Sequence, residues 1–319
     1  MSRTTTPKKK TTRKADLILS ADWHVREDTP VCRSDDYLEA MGRKFQYLRE
    51  LQLKHDCQVV VAGDVFHKAK PSPFLIGWAM SNLPHASVIA GQHDLPNHNL
   101  GLFRKCGLYV LELSGCLSVL GQGRSQHLAS SSCVLQGFPW GVSPEKPQEP
   151  PEEWGPLPDG TRRVALVHVL TWTRKKPWPD IEADMAGKVL QKFKGFDLVV
   201  TGDNHQSFTV EHKGRLLVNP GSLLRSTADQ ADFRPRVYLW YADTNTVEPV
   251  YLPIEDVISR EHLKKNEQRD ERMEAFVKRL KDDFEVGLSF ERNLEAFFRK
   301  NKTRKAVREL IDNVVGGDE

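Results

Sequence analysis

Aspartate and histidine side chains recur at the ends of the apolar runs of this sequence. In chain order the candidate residues are Asp22 and His24, then Asp64, then Gln92, His93 and Asp94, then His168, and finally Asp203 and His205. Carboxylate, imidazole and amide oxygens are ligands that suit manganese, iron or zinc, whereas a structural zinc site would use thiolates. The residue types therefore favour a metal centre that performs chemistry.

These side chains need elements that bring separate segments together. Apolar patterns predict strands at Ala15–Ser20, Val59–Ala62 and Ser87–Ala90, with amphipathic helices over 35–55 and about Phe74–Asn82. This order predicts an α/β fold in which helical crossovers join parallel strands. In such a sheet, ligands bind in the crevice outside the carboxyl ends of the strands, so the candidate residues should face one volume.

The rest of the chain divides by composition. Residues 141–160 contain six prolines, which predicts a surface excursion. The β/α alternation resumes with a strand at Arg163–Val167, a helix about Ile181–Lys194 and a strand at Asp197–Thr201, and antiparallel strands follow to Pro253. Apolar stripes at helical spacing continue from there. We expect a basic disordered tail (1–14), a main domain (15–254) and a helical region (255–319).

Charge and cysteine content narrow the range of binding partners and cellular compartments. Residues 1–14 carry six basic side chains and no acid, which leaves 40 basic against 43 acidic residues in the remainder, a formal charge of −3. Such an arm can bind a phosphate backbone, and a solubilising extension explains it equally well. Five cysteines without CxxC spacing favour a reducing cytoplasm. No apolar run approaches the roughly 18 residues of a membrane helix, and no secretory signal is predicted, so a membrane is not an expected partner.

Each motif has a plain structural alternative. Gly63-Asp64 alone is an ordinary strand-ending turn, and His168 within ALVHVL alone would most often be a buried core histidine. Their joint occurrence at successive strand ends favours a shared site. Two ions about 3.5–4 Å apart need a bridging carboxylate, and they can clamp the attacking and leaving oxygens of a phosphoryl transfer.

In order, the motifs DWH, GDVFH, GQHD, VH and GDNH resemble those of the calcineurin-like metallophosphoesterases. GDVFHKAKPSP resembles the Mre11/SbcD nuclease branch, and VNPGSLLRSTADQ is similar to its phage-type members. The resemblance covers residues 15–253. It implies an α/β metallophosphoesterase fold, a β-sandwich of mixed sheets flanked by helices with a small C-terminal helical region, in the cytoplasm of a bacterial or phage-infected cell.

The same resemblance implies two divalent metal ions, with Mn²⁺ preferred to Mg²⁺, Fe²⁺ and Zn²⁺. The implied ligands are Asp22, His24 and His205 for one ion, Asp64 as the bridge, and Gln92, His168 and Asp203 for the other. Gln92 replaces the usual Asn, and Asp203 replaces the first His of G-H-x-H. The extra carboxylate favours manganese over zinc. His93 is implied to act as a general acid or transition-state stabiliser, with Asp94 orienting its ring.

The implied function is a metal-dependent DNA nuclease of repair or recombination. Candidate nucleic-acid contacts are His67, Lys68 and Lys70 after Asp64, and Trp172, Arg174, Lys175 and Lys176 after His168, where aromatic rings alternate with cations. A solvated basic loop with inward tryptophans explains the second group almost equally well. The implied partners are DNA, a Rad50/SbcC-like coiled-coil ATPase that binds residues 255–319, and a second copy in a homodimer. The alternatives are a metallophosphatase or cyclic-nucleotide phosphodiesterase on the same fold, and a non-catalytic scaffold.

Overall fold

The computed structural model describes residues 13–121, 125–128, 133–143, 147, 152–174, 176, 183–254, 256–282 and 290–315. The chain forms two compact units, and the boundary between them in the sequence lies between Ser259 and Arg260. In the described part of the chain, no helix has the length and apolarity needed to cross a membrane.

The first unit contains two six-stranded sheets. In the first sheet the order is β14 (Thr246–Tyr251), β13 (Arg236–Tyr241), β1 (Leu17–Ser20), β2 (Gln58–Val61), β3 (Ala86–Val88) and β4 (Leu117–Val119). The strands from β1 to β4 are parallel, whereas β13 pairs antiparallel with both β1 and β14. The parallel strands are joined by helices α1 (Tyr37–His55), α2 (Pro73–Asn82) and α3 (Gly107–Leu113), in the predicted β/α order.

Local sequence explains where two of these helices begin. The Asp36 side chain accepts the backbone N–H of Glu39 at 2.9 Å and caps α1. Ser72 caps α2 by accepting the backbone N–H of Leu75, and Pro73 occupies the first helical position. The Pro-Ser-Pro part of GDVFHKAKPSP therefore has a structural task at the start of α2.

The second sheet has the order β11 (Phe208–His212), β12 (Arg215–Asn219), β10 (Leu198–Thr201), β7 (Arg162–Val167), β6 (Cys133–Phe138) and β5 (Ser125–Leu128). Its central strands are parallel and its two edge pairs are antiparallel. The predicted helix about Ile181–Lys194 is shorter, α4 (Ala186–Lys192), because β9 (Asp184–Met185) pairs with β8 (Thr171–Trp172) in a small parallel sheet.

The main core lies between the two sheets. Leu17, Leu19 and Val60 pack there against Leu166 and Val200 of the other sheet. The intervening residues of the strands face outward: Ile18 and Val59 of the first sheet pack with α1 and α2, and Val199 of the second packs with α4. The central strands are apolar on both faces because both faces are covered. The predicted fold class, mixed sheets flanked by helices, is confirmed.

The second unit consists of α5 (Glu261–Asp282), α6 (Phe290–Lys300) and α7 (Lys305–Val315). Its small core contains Leu294, Phe298 and Ile311, with Phe276 packed against it. These members of the predicted apolar stripes therefore meet one another within this unit.

The predicted basic tail lies outside the described residues as far as residue 12. Its last two residues contact the first unit. The Arg13 guanidinium pairs with Asp243 and lies 4.1 Å from the centre of the Tyr241 ring, and the Lys14 ammonium is 3.3 Å from an oxygen of Asp56. These two positions belong to the folded unit, unlike the sequence-based prediction.

Candidate metal centre

Asp22, His24 and Asp64 follow the carboxyl ends of the neighbouring parallel strands β1 and β2. The hydrogen-bond ladder continues beyond the strands, with the N–H of Asp22 donating to the Gly63 carbonyl at 3.1 Å and that of His24 to the Asp64 carbonyl at 2.9 Å. All three residues have left-handed backbone, with φ of 48°, 47° and 54°. Such conformations cost about 1–3 kcal/mol each and cluster at functional sites.

The first ligand cluster contains Asp22, His24 and His205. One candidate ligand atom from each lies within 4.8 Å of the others. The Nε2 atoms of His24 and His205 are 3.1 Å apart, and the Nε2 of His24 is 3.7 Å from Oδ2 of Asp64. Residues separated by 181 positions are thus brought to one point, as the strand-end prediction requires.

The second cluster contains Asp22, Asp64 and His168, again within 4.8 Å. The Nε2 of His168 is 3.5 Å from Oδ2 of Asp64 and 2.5 Å from Oε1 of Gln92. Gln92 in turn donates through Nε2 to Oδ1 of Asp203 at 2.5 Å. The structure therefore places Gln92 and Asp203 next to His168, and it places Oδ2 of Asp64 between the two clusters.

The tautomer of His168 is set by a backbone contact. Its Nδ1 lies 2.6 Å from the carbonyl oxygen of Ala62, where it acts as the donor. Nε2 lies 2.5 Å from Oε1 of Gln92; it donates to that oxygen when the ring is protonated and can ligate a metal ion when the ring is neutral. Ligating histidines are commonly oriented by a backbone carbonyl in this way.

Unpaired buried atoms provide the test of whether this donor set fits a metal ion. Oδ2 of Asp22, Oδ2 of Asp64 and Nδ1 of His24 are buried without a hydrogen-bond partner. A buried carboxylate oxygen without a partner is costly, because it has lost its water. Both oxygens belong to the ligand clusters, so the residues fit divalent metal binding.

Burial and charge shift the pKa values of this cluster in opposite directions. Burial raises the pKa of Asp22 and lowers the pKa values of His24 and His205. Burial also disfavours the charged form of His168, but the neighbouring carboxylates of Asp64, Asp22 and Asp203 raise the pKa of that ring to about 10. A bound divalent ion would favour the carboxylate forms and neutral imidazoles.

Two glycines let the backbone close around the ligands. A Cβ on Gly63, which has φ of 94°, would lie 2.1 Å from Nδ1 of His168. A Cβ on Gly91 would lie 2.1 Å from Oδ1 of Asp64. Both glycines belong to the predicted motifs, and these contacts show that a side chain at either position would displace a candidate ligand.

Gly91→Ala is expected to weaken Mn²⁺ binding at least tenfold and to lower stability by about 1–3 kcal/mol, since the new methyl displaces the Asp64 carboxylate. Gly91 lies outside the left-handed region, so the effect comes from contact alone. Calorimetric titration and thermal unfolding measure both quantities. Gly77→Ala is the control, because a Cβ there meets nothing within 4 Å. Wild-type Mn²⁺ affinity in the Gly91 variant would contradict the predicted contact.

His93 is held beside the clusters by its own backbone and by His67. Its N–H donates to Oδ1 of Asp64 at 2.9 Å, and its Nδ1 lies 3.0 Å from the carbonyl oxygen of His67. The two rings are stacked, with centroids 5.4 Å apart, and they form a third histidine group with His24. Burial lowers the pKa of His67 to about 4.

Asp94 has a different role from the predicted one. Its Oδ1 accepts the N–H of Phe66 at 2.8 Å, and its Oδ2 accepts those of Val65 at 3.1 Å and Gly91 at 3.0 Å. The ring of His93 is oriented by the His67 carbonyl instead. Asp94 therefore fixes the backbone that carries Asp64 and Gln92, and burial raises its pKa to about 7.

The candidate nucleic-acid residues fall into two groups. His67 is half-buried at the site, whereas Lys68 and Lys70 are exposed in the loop before α2. In the second group, Trp172 is half-buried and donates through Nε1 to the Ala183 carbonyl at 3.1 Å. Arg174 and Lys176 are exposed, and Lys175 lies outside the described residues.

The cleft over the metal-centre residues Asp64, Gln92, His93, Asp203 and His205 has a volume of about 620 Å³. Besides predicted residues, it is lined by Asn204 and by a loop containing Thr227, Asp229 and Gln230. The resemblance singled out VNPGSLLRSTADQ, which contains this loop, but assigned none of its residues to the site. A run of small and polar residues after β12 indicates a turn without indicating what the turn faces.

No family model and no curated protein matches this sequence. Similar solved structures include an archaeal phosphodiesterase (12% identity, 74% of this chain and 99% of the other, TM-score 0.38), a putative 5′-nucleotidase from Staphylococcus aureus (14%, 78% and 57%, 0.44) and a metallophosphoesterase from Sphaerobacter thermophilus (12%, 76% and 89%, 0.36). At these identities the similarity concerns the arrangement of sheets and helices. By its own sheets and side chains, the chain is a mixed α/β sandwich with a candidate metal centre at its strand ends.

Proposed function

We propose that this protein is a metal-dependent phosphodiesterase that hydrolyses DNA, with Asp64 bridging two divalent ions. The observation that carries the proposal is the position of Oδ2 of Asp64. It lies 3.7 Å from Nε2 of His24 and 3.5 Å from Nε2 of His168, and it has no hydrogen-bond partner. A buried carboxylate oxygen that lies near one histidine of each ligand cluster suits two ions about 3.5–4 Å apart.

The remaining ligands divide between the two clusters. Asp22, His24 and His205 would hold one ion, and Gln92, His168 and Asp203 the other. Oxygen ligands at Gln92 and Asp203 favour manganese among the candidate metals. When bound, divalent ions supply charge that stabilises the phosphoryl oxygens and lower the pKa of water.

His93 supplies the proton for the leaving oxygen. Its Nδ1 is used by the His67 carbonyl, so Nε2 is the nitrogen available to substrate. The stacked ring of His67 restricts its rotation, and the N–H contact with Asp64 ties its backbone to the bridging ligand. An imidazole can make such a transfer near neutral pH.

The exposed cations favour DNA as the substrate. Lys68 and Lys70 follow the Asp64 strand end, and Arg174 follows the His168 strand end. Exposed basic side chains that follow two strand ends of the site suit a long polyanion, which would extend beyond the cleft. Trp172 adds a partly exposed ring on the same segment as Arg174, in position to stack on a base.

The direct test is hydrolysis of labelled single-stranded and double-stranded DNA with Mn²⁺. Cleavage should require Mn²⁺, stop with a chelator and be lost in His168→Ala. p-Nitrophenyl phosphate is assayed alongside. Rapid hydrolysis of this monoester without DNA cleavage would reassign the protein as a phosphatase. Metal analysis should give about two Mn per chain, and a content near zero would indicate a non-catalytic scaffold.

We also propose that the second unit binds a coiled-coil ATPase of the Rad50/SbcC type. Val307, Leu310 and Val314 lie at helical spacing on α7 and are 39%, 43% and 57% exposed. A stripe of this kind suits the apolar seam of a coiled coil. Leu310→Glu combined with Val314→Glu should abolish co-purification with an ATPase encoded beside this chain and spare DNA hydrolysis. Leu53→Glu, an exposed leucine of the first unit, is the control, and unchanged co-purification would reject the site. The solution mass of the same preparation tests the proposed homodimer.

A further inference from the structure

The turn that carries His205 is held by four consecutive residues at the end of β12. Asn219 donates through Nδ2 to the carbonyl oxygens of Asn204 and Gln206, both at 2.6 Å. The Pro220 carbonyl accepts the hydroxyl of Ser207, and the N–H of Ser222 donates to the His205 carbonyl at 3.2 Å. These contacts fix the backbone on both sides of His205.

Gly221 brings the two segments into close contact. It has a φ of 78°, and a Cβ there would lie 2.6 Å from the carbonyl oxygen of His205. A larger residue would therefore push the histidine turn away. Each residue of the Asn-Pro-Gly-Ser sequence thus makes at least one contact with the turn that carries His205.

The same segment also holds the first metal motif. The N–H of Leu223 donates to the carbonyl oxygen of Asp22 at 3.3 Å. Asp22 and His205 are two of the three members of one ligand cluster, and they are 183 residues apart in the chain. Residues 219–223 consequently connect the backbones of two ligands that share an ion.

The amide of Asn219 is oriented without ambiguity. Only the Nδ2 side of the amide can donate to the two carbonyl oxygens at 2.6 Å, so the nitrogen is identified, and it uses both of its hydrogens there. Oδ1 then accepts the hydroxyl of Thr201 at 2.9 Å. Asn219 is fully buried, so water cannot replace these bonds. An oxygen in place of Nδ2 would face two carbonyl oxygens at 2.6 Å and would repel them.

We propose that Asn219 is a positioning residue for the ion held by Asp22, His24 and His205. This inference rests on the proposed function only in that the cluster must bind a metal ion. Asn219 acts through the backbone of His205. Loss of its two donated bonds should lower the affinity for the ion held by Asp22, His24 and His205 and leave the affinity for the ion held by His168 unchanged.

The test is calorimetric titration of Mn²⁺ into metal-free wild-type protein and Asn219→Asp. Loss of a contact that orients a metal ligand typically lowers metal affinity about 10–100-fold. The wild-type protein should bind two ions, and the variant should bind one with wild-type affinity and the other at least tenfold more weakly. Two ions bound with unchanged affinities in the folded variant would overturn the proposal.

Asn245→Asp is a matched control. Asn245 donates through Nδ2 to the carbonyls of Asp197 at 3.0 Å and Gly214 at 2.8 Å, and its Oδ1 accepts the indole N–H of Trp240 at 2.9 Å. This is the same hydrogen-bond pattern, placed at the amino-terminal end of β10 while the ligands follow its carboxyl end. Asn245→Asp should destabilise the fold and leave both Mn²⁺ affinities unchanged. Equal loss of one ion in both variants would overturn the specific role of Asn219.

If Asn219→Asp does not fold, Asn219→Ala decides the question, since it removes both donated bonds without placing an oxygen against the two carbonyls. Weaker binding of one Mn²⁺ ion supports the proposal, and unchanged binding of both ions rejects it. Failure of the proposed function gives different results. A wild-type protein that binds no Mn²⁺ rejects the metal centre, and one that binds two ions without cutting DNA rejects only the nuclease activity.

Discussion

Asp64→Asn is expected to lower Mn²⁺-dependent DNA hydrolysis by about 1,000-fold or more, since it removes the negative charge that lies between His24 of one ligand cluster and His168 of the other. In the wild-type protein the N–H of His93 donates to Oδ1 of Asp64 at 2.9 Å. The asparagine oxygen can still accept this bond, so the backbone of the site should be preserved. What is lost is the unpaired Oδ2 between His24 and His168. Steady-state hydrolysis of labelled DNA measures the effect.

Thermal unfolding provides a second measurement for this variant. An ion that binds only the folded state adds about 2.7 kcal/mol of stability at a concentration 100 times its Kd. Mn²⁺ should therefore raise the Tm of the wild-type protein and leave that of Asp64→Asn nearly unchanged. Asp56→Asn is the control, because Asp56 also has left-handed backbone (φ 53°) but lies at the exposed end of α1. Retention of a tenth of the wild-type activity by Asp64→Asn would exclude a bridging role.

His93→Asn is expected to lower kcat for DNA by about 100–10,000-fold, the usual contribution of a general acid. The asparagine amide can take the place of Nδ1 and donate to the His67 carbonyl, while the nitrogen equivalent to Nε2 is absent. Metal content should stay at the wild-type level. The loss should be much smaller for bis-p-nitrophenyl phosphate, because its leaving group needs no proton.

The comparison of the two substrates separates the two roles of His93. Equal losses on DNA and on bis-p-nitrophenyl phosphate would assign His93 to charge stabilisation instead of proton transfer. His98→Asn serves as the control, since His98 is an exposed histidine with left-handed backbone (φ 53°), a conformation that asparagine tolerates. Full activity of His93→Asn on DNA would remove this residue from the mechanism.

The positions of the candidate ligands were predictable because local signals mark strand ends. Val59–Ala62 is a run of β-branched and small apolar residues, and Gly63 then permits the turn that presents Asp64. The same reasoning located Asp22 and His24 after β1. Which sheet each central strand joins was not predictable in this way, because the central strands of both sheets are buried on both faces and carry the same apolar pattern.

The features that the sequence did not predict depend on contacts between segments that are distant in the chain. Asp94 binds the N–H groups of Val65 and Phe66, and apolar side chains at those positions give no sign of a carboxylate partner. The pairing of β8 with β9 involves only two residues from each strand, which is too short for a periodic signal. The resemblance placed Asp94 next to the ring of His93, and the fold uses it on the backbone instead.

The position of β13 has a consequence for how this protein is made. Leu17 of β1 pairs with Trp240 of β13, so the first strand of the chain is completed by one of the last. A ribosome must release residues beyond Tyr241 before that edge can close, which gives the unit a high contact order and slow folding. Until then the nascent chain presents β1 as an open apolar edge that can pair with other chains. Because β1 waits for β13, we expect the protein to need chaperones during synthesis and its amino-terminal fragments to aggregate.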